Sequence, residues 1–114
     1  MKSARDLLED ISAECHYLLS QAEGLDQSAF LSDETRKRAF ARSIEIIGEA
    51  VKGLLNDLVA AYPETPWRRM ASMRDRLIHA YFAVDYTLLF DVATTNIPEL
   101  SRQIDAVLMT LPQE

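Results

Sequence analysis

Hydrophobic and polar residues follow one another along most of this chain with the period of an α-helix. The first apolar set recurs at steps of three and four residues, which predicts an amphipathic helix ending near Gly24. Ser3 and Asp6 have the spacing of a capping box at its start. No stretch alternates with period two for long enough to predict a strand. The apolar positions of this first helix are Leu7, Leu8, Ile11, Cys15, Leu18, Leu19 and Ala22.

A second apolar set predicts a long helix after a short connector at residues 28–31. Ser32 or Asp33 can cap its first turn, because a short polar side chain there accepts from a free backbone N–H group. The helical period then continues to Pro63, which cannot continue a helix. The apolar positions are Ala39, Phe40, Ile44, Ile47, Val51, Leu54, Leu55 and Leu58.

Two glycines and two glutamates stand out inside this second helix. Gly48 and Gly53 each cost roughly 1 kcal/mol against alanine, so the pair suggests that another backbone crosses the helix closely. Glu45 and Glu49 lie four residues apart and share a face. They are either solvent-exposed charges or partners for arginines near a site.

Three further helices are predicted in the second half of the chain. Trp67 follows a proline-containing loop and is expected to anchor a helix over residues 68–82. Asp85 is placed to cap a fourth helix, and Pro98 to begin a fifth after a break at Asn96. The pattern therefore predicts an all-α bundle of four or five helices.

Composition is consistent with one soluble globular domain over residues 1–114. The chain is 48% hydrophobic and 26% charged, and no apolar run approaches the roughly 20 residues that span a bilayer. The N-terminus leads into an amphipathic pattern, so we expect a cytoplasmic protein without membrane contact. Cys15 cannot form an internal disulfide, and its place on an apolar face favours a small buried thiol.

The net charge of −6 is unevenly distributed. Residues 1–35 carry −6, residues 36–76 carry +4 and residues 77–114 carry −4. An acidic chain argues against coating nucleic acid non-specifically, but a basic middle segment can guide one phosphate backbone to one place. Arg36, Arg42 and Arg76 are candidates for such contacts. The alternative for the Arg36–Arg42 cluster is a solvated helix face.

The most informative stretch runs from Arg74 to Tyr81, reading RDRLIHAY. A guanidinium is a permanent cation with a fork of donors suited to phosphate oxygens, and an imidazole exchanges a proton near neutral pH. Together they supply what phosphodiester cleavage needs without a metal. On an ideal helix Arg74 and His79 are about 140° apart, whereas Asp75 and His79 share a face. A second copy of the chain could therefore complete the site.

An arginine, a histidine five residues later and a tyrosine two residues after the histidine form a motif that resembles that of the HEPN superfamily. The chain is similar to the HepT-like toxin branch of this superfamily. The resemblance covers nearly the whole chain. Residues 43–50 resemble the second-helix signature, residues 66–82 the core block, and residues 84–85 and 97–100 the C-terminal half. One departure is Ala80, where the family often has a glycine or a charged residue.

This resemblance implies a homodimeric helical bundle and a toxin of a two-gene toxin–antitoxin pair. The implied activity is that of a metal-independent endoribonuclease, with no cofactor and with the motifs of both subunits facing one cleft. His79 would be the general acid or base at the ribose 2′-hydroxyl, Arg74 would stabilise charge on the phosphate, and Asp75 would position them. Arg36, Arg42 and Arg76 would be candidate RNA contacts, and the products would carry 2′,3′-cyclic phosphates.

The resemblance also implies a protein partner. In the family, a minimal nucleotidyltransferase antitoxin of the MntA type attaches AMP to the motif tyrosine, which is Tyr81 here. The added bulk and negative charge would compete with RNA phosphate. Two alternatives stay open. In one, the same residues only bind a nucleotide or serve as the docking and modification site of the transferase, and RNA is not cut. In the other, the protein is a purely structural helical dimer.

Overall fold

The computed structural model describes residues 2–79 and 84–112, and it describes Ile78 and His79 by their backbone alone. α-Helices account for nearly all regular structure in these ranges. No strand occurs in these ranges, so the all-α prediction is confirmed. A π-helical segment, Val92–Asn96, joins the last two helices. The helices are α1 (Ala4–Ala22), α2 (Gln27–Leu31), α3 (Glu34–Lys52), α4 (Asn56–Ala61), α5 (Trp67–His79), α6 (Tyr86–Asp91) and α7 (Ile97–Thr110).

The predicted helix starts are confirmed by their hydrogen bonds. At α1, the backbone N–H of Asp6 donates to Ser3 Oγ at 3.1 Å, and the N–H of Ser3 donates to Asp6 Oδ2 at 3.2 Å. Asp33 and Asp85 each accept from the backbone N–H three residues later. Short polar side chains therefore satisfy donors that a helix start leaves free.

The prediction of one long helix as far as Pro63 was wrong beyond Lys52. The N–H of Gly53 donates to the carbonyl of Ala50 at 3.1 Å, which closes α3 with a tight turn. Leu54 then enters the core with 7% exposure, while Leu55 is 74% exposed. Apolar spacing continues through this turn into α4, and for that reason periodicity alone did not reveal the break.

Two connections also differ from prediction. The expected connector at residues 28–31 belongs to the short helix α2, which Asp26 caps and which buries Phe30 against the ring of Phe40 at 4.9 Å between centroids. The expected break at Asn96 is absent, because the π-helical segment passes directly into α7. Pro98 lies in the first turn of α7, where a missing N–H costs no hydrogen bond.

α3 is the central helix, with contacts to both α1 and α5, whereas α5 packs mainly on α3. α1 also packs on α7, and the Arg5 guanidinium donates to the carbonyl of Leu111 at 3.1 Å at the C-terminal end of α7. A cation there offsets the negative end of the helix dipole. No helix within the described residues is both long and apolar enough to cross a membrane.

Cys15 is fully buried in the core, which confirms its predicted environment. Burial raises the pKa of its thiol to about 12, since the thiolate would lose its hydration there. The thiol is therefore protonated at neutral pH. Trp67 is also buried and donates from its indole N–H to the carbonyl of Tyr62 at 2.9 Å, as expected of an anchor.

Candidate active site

A close crossing of α3 and α5 positions Arg74. A Cβ atom at position 48 would lie 2.2 Å from Arg74 Cβ and 2.7 Å from the carbonyl oxygen of Met70. Only glycine leaves room for α5 at this distance, and the crossing predicted from the two glycines is thus found at Gly48. The arginine consequently faces α3, and its side chain is 24% exposed.

Two carboxylates hold the Arg74 guanidinium. Arg74 Nη1 donates to Asp75 Oδ1 at 3.1 Å, and Nη2 lies 3.7 Å from Glu49 Oε1. Glu49 was expected to be either a solvent-exposed charge or a partner for an arginine, and the structure supports the second alternative. Arg74 Nε is buried without a hydrogen-bond partner among the described residues. The result is a fixed cation whose orientation is set from both α3 and α5.

Asp75 is shared between two cations. Its Oδ1 also accepts from Lys52 Nζ at 2.6 Å. The hydrogen bonds from Lys52 first, and from Arg74 second, hold the pKa of Asp75 below its usual value. The carboxylate is therefore ionised at neutral pH and carries negative charge beside Arg74.

Lys52 is a member of this site that the sequence interpretation missed. It lies four residues after Gly48 and three after Glu49, so helical spacing could have placed it on the side of α3 that faces α5. Glu49, Lys52, Arg74 and Asp75 form a network of two positive and two negative charges across the crossing, which we call the α3–α5 charge network.

His79 is the last residue of α5. The helical register places position 79 about 140° around the axis from Arg74. The structure describes its backbone alone, so the expected contact between Asp75 and the imidazole stays a prediction. Tyr81 lies outside the described residues, and its expected role as an AMP acceptor likewise stays a prediction.

The three candidate RNA contacts lie in different surroundings. Arg36 faces Asp33 at 3.5 Å near the start of α3, about 18 Å along the helix from Gly48. Arg42 is paired with Glu45. Arg76 is exposed on α5 and has no carboxylate partner among the described residues. Of the three, only Arg76 lies on the helix that carries the motif.

The second histidine, His16, lies on another part of the surface. Its Nε2 is 3.1 Å from Asp105 Oδ2 on α7, and Ser12 Oγ donates to the other oxygen of the same carboxylate at 2.7 Å. This arrangement links α1 to α7 at the protein surface. Among the described side chains, no group of three or more histidine, cysteine, aspartate or glutamate residues is arranged to hold a metal ion.

Comparison with known proteins defines the family. The profile of the family described as "Ribonuclease HepT-like" matches residues 2–107, and the chain belongs to this HepT-like family. This confirms the resemblance drawn from the motif and from the blocks around it.

Curated relatives match over nearly their whole length. The chain is 42% identical over 108 residues to "Putative RNase TTE0752" of Caldanaerobacter subterraneus subsp. tengcongensis, covering 95% of this chain and 96% of the relative. It is 40% identical over 104 residues to "Probable ribonuclease HepT" of Thermococcus cleftensis, covering 91% of this chain and 94% of the relative. The comparison with solved structures gives no significant match.

Proposed function

We propose that this protein is a metal-independent endoribonuclease whose active site contains Arg74, Asp75 and His79. The observation that carries the proposal is the Arg74–Tyr81 motif within a chain that matches the HepT-like ribonuclease family over residues 2–107. The names of the relatives, which refer to RNases, support the same reaction class. The fixed position of Arg74 at the α3–α5 crossing suits a residue that must meet a phosphate in one geometry.

The proposed reaction is attack of the ribose 2′-hydroxyl on the adjacent phosphorus. His79 accepts the 2′-hydroxyl proton or protonates the leaving 5′-oxygen, since an imidazole can exchange a proton near neutral pH. The O2′–P bond forms, the P–O5′ bond breaks, and the products carry a 2′,3′-cyclic phosphate and a 5′-hydroxyl. Arg74 stabilises the additional negative charge on the phosphate oxygens in the transition state.

Asp75 and Lys52 set the electrostatics of this step. Asp75 orients Arg74 through the 3.1 Å hydrogen bond, but an unpaired carboxylate beside the cation would repel RNA. Lys52 offsets that charge through its 2.6 Å contact with Asp75. Arg74 thereby keeps its orientation, and the four charges of the α3–α5 charge network sum to zero.

The functional unit in this proposal is a homodimer. Arg74 faces α3, while position 79 lies about 140° further around α5. Both groups can contact a single phosphate if one subunit supplies Arg74 and the other supplies His79. A two-fold axis along a shared cleft would provide this arrangement twice.

The experiment that tests the nuclease is incubation of the purified, unmodified protein with a mixed RNA pool in excess EDTA. We expect cleavage, because none of the proposed groups needs a divalent ion. A folded protein with unmodified Tyr81 that leaves every RNA intact would contradict the proposal. That result would instead favour the interaction module, in which the motif only binds a nucleotide or the transferase.

We further propose that the nuclease is the toxin of a toxin–antitoxin pair, neutralised when a minimal nucleotidyltransferase transfers AMP to Tyr81. An adenylyl group two residues after His79 would bring negative charge close to the reacting phosphate and compete with it. The family and the tyrosine of the motif support this assignment.

Tyr81→Phe is expected to remain an active nuclease after incubation with ATP and the transferase, because phenylalanine has no hydroxyl to modify. Mass spectrometry of the intact protein should show AMP on the parent and none on the variant. Tyr17→Phe, at an exposed tyrosine of α1, is the matched control and should be modified like the parent. Covalent AMP on Tyr81→Phe that still blocks cleavage would contradict the assignment.

A further inference from the structure

We propose that the outer face of α5 binds the phosphate backbone of RNA through Arg68, Arg69 and Arg76, and that this face guides the strand to position 79. We call these three residues the α5 arginine track. The choice of RNA as the bound polyanion rests on the proposed function. Arg68 and Arg69 extend the candidate RNA contacts on α5 beyond Arg76.

The first observation is that these arginines lack ion-pair partners within the described residues, in a chain that otherwise pairs its cations. Of the twelve lysines and arginines, eight have a carboxylate oxygen within 4.0 Å. Among the described residues, the remaining four have none. They are Arg38, Arg68, Arg69 and Arg76. Three of the four therefore lie on one helix, although the chain has a net charge of −6.

The second observation is that the three share a face. At about 100° per residue, Arg68, Arg69, Arg76 and position 79 fall within an arc of about 100° on α5. The opposite side of the helix carries Met70, which is 2% exposed. All three arginines are exposed, and α5 packs mainly on α3. Arg69 borders a surface pocket that it shares with α7, and Arg76 borders one that it shares with α6, so the track runs along exposed edges of both pockets.

The spacing suits a strand that ends at the proposed reaction centre. Arg69 and Arg76 are seven residues apart, or about 10 Å along the axis, and position 79 is about 5 Å further on. A nucleic-acid strand presents phosphates every few ångströms. Several consecutive phosphates can therefore lie along the track while one reaches position 79, which is what a nuclease needs to position its substrate.

The presence of carboxylate partners makes Arg36 and Arg42 weaker candidates for binding RNA phosphates. Both already face carboxylates, Asp33 and Glu45 respectively. A phosphate would compete with those partners, so we expect either arginine to contribute less to RNA affinity than the arginines of the α5 arginine track. Charge pairing, which the sequence does not reveal, thus separates Arg76 from Arg36 and Arg42.

The test is binding of a fluorescently labelled 2′-O-methyl RNA, which cannot be cleaved through its 2′-oxygen, measured by anisotropy over a range of salt concentrations. For Arg69→Gln with Arg76→Gln, we expect several-fold weaker binding. The slope of log affinity against log salt should become shallower by about 0.7 for each phosphate that the variant no longer neutralises. Arg69→Lys with Arg76→Lys should restore most of the affinity, because a lysine keeps the charge.

Arg38→Gln is the matched control. It also removes one exposed arginine that has no ion-pair partner among the described residues, but on α3, and should leave both affinity and slope close to those of the parent. The track is overturned if the double variant, Arg69→Gln with Arg76→Gln, binds RNA as tightly as Arg38→Gln does. RNA that binds through the arginines but is not cut in its unmethylated form supports the track and contradicts the nuclease. A parent protein that binds no RNA overturns both.

Discussion

Replacing His79 with alanine is expected to slow RNA cleavage by about 10²- to 10⁴-fold, the usual contribution of a positioned general acid or base. The loss should be in the cleavage step and not in RNA binding, because the imidazole transfers a proton during the reaction while arginines bind the phosphates. Single-turnover cleavage with saturating protein measures this step directly.

The control for this prediction is the same substitution at the other histidine. His16 lies on the α1–α7 surface, where it contacts Asp105 at 3.1 Å, and has no part in the proposed chemistry. His16→Ala should cleave RNA at the rate of the parent. Equal losses from both variants, or full activity in a folded His79→Ala protein, would remove His79 from the mechanism.

Gly48→Ala is expected to destabilise the protein by about 1–3 kcal/mol, the usual cost of overpacking a well-packed contact. At an exposed position inside a helix, replacing glycine with alanine would instead stabilise the protein by about 1 kcal/mol. Here the new Cβ would lie 2.2 Å from Arg74 Cβ and 2.7 Å from the carbonyl of Met70. Because one of these atoms is backbone, α3 and α5 must move apart. Urea unfolding at fixed protein concentration measures the change.

Cleavage should fall together with stability in Gly48→Ala, since separation of the helices breaks the contacts of Arg74 with α3. Gly53→Ala is the matched control at the end of the same helix. Its Cβ would lie 3.2 Å from Leu7 Cδ1, the end of a flexible side chain that can move. A Gly48→Ala protein as stable and as active as the parent would show that the close crossing does not position Arg74.

The fold was largely predictable because the sequence features that define its helices involve residues close together in the chain. Capping side chains at Ser3, Asp33 and Asp85 and a sustained apolar period define most helix starts from sequence alone. The turn at Gly53 was not predictable in this way, since apolar residues keep helical spacing on both sides of it. Whether a glycine continues a helix or ends it depends on tertiary packing.

The site divides in the same manner. The motif points to Arg74, Asp75 and His79 as candidate site residues because their spacing is local, and helical geometry already separates Arg74 from His79. The involvement of Lys52 depends on the α3–α5 crossing, which brings residues 23 positions apart within 2.6 Å. Likewise, which arginines are paired with carboxylates depends on tertiary structure and could not be predicted from the basic segment alone.

In the proposed mechanism RNA is cut by its own 2′-hydroxyl, and this attack determines the end groups of the products. RNA cleaved by the parent protein in excess EDTA should carry 2′,3′-cyclic phosphate and 5′-hydroxyl ends. Methylation of the 2′-oxygen at a mapped cleavage site should abolish cutting there. Products with 5′-phosphate ends, or cleavage that persists on the methylated RNA, would rule out attack by the 2′-hydroxyl.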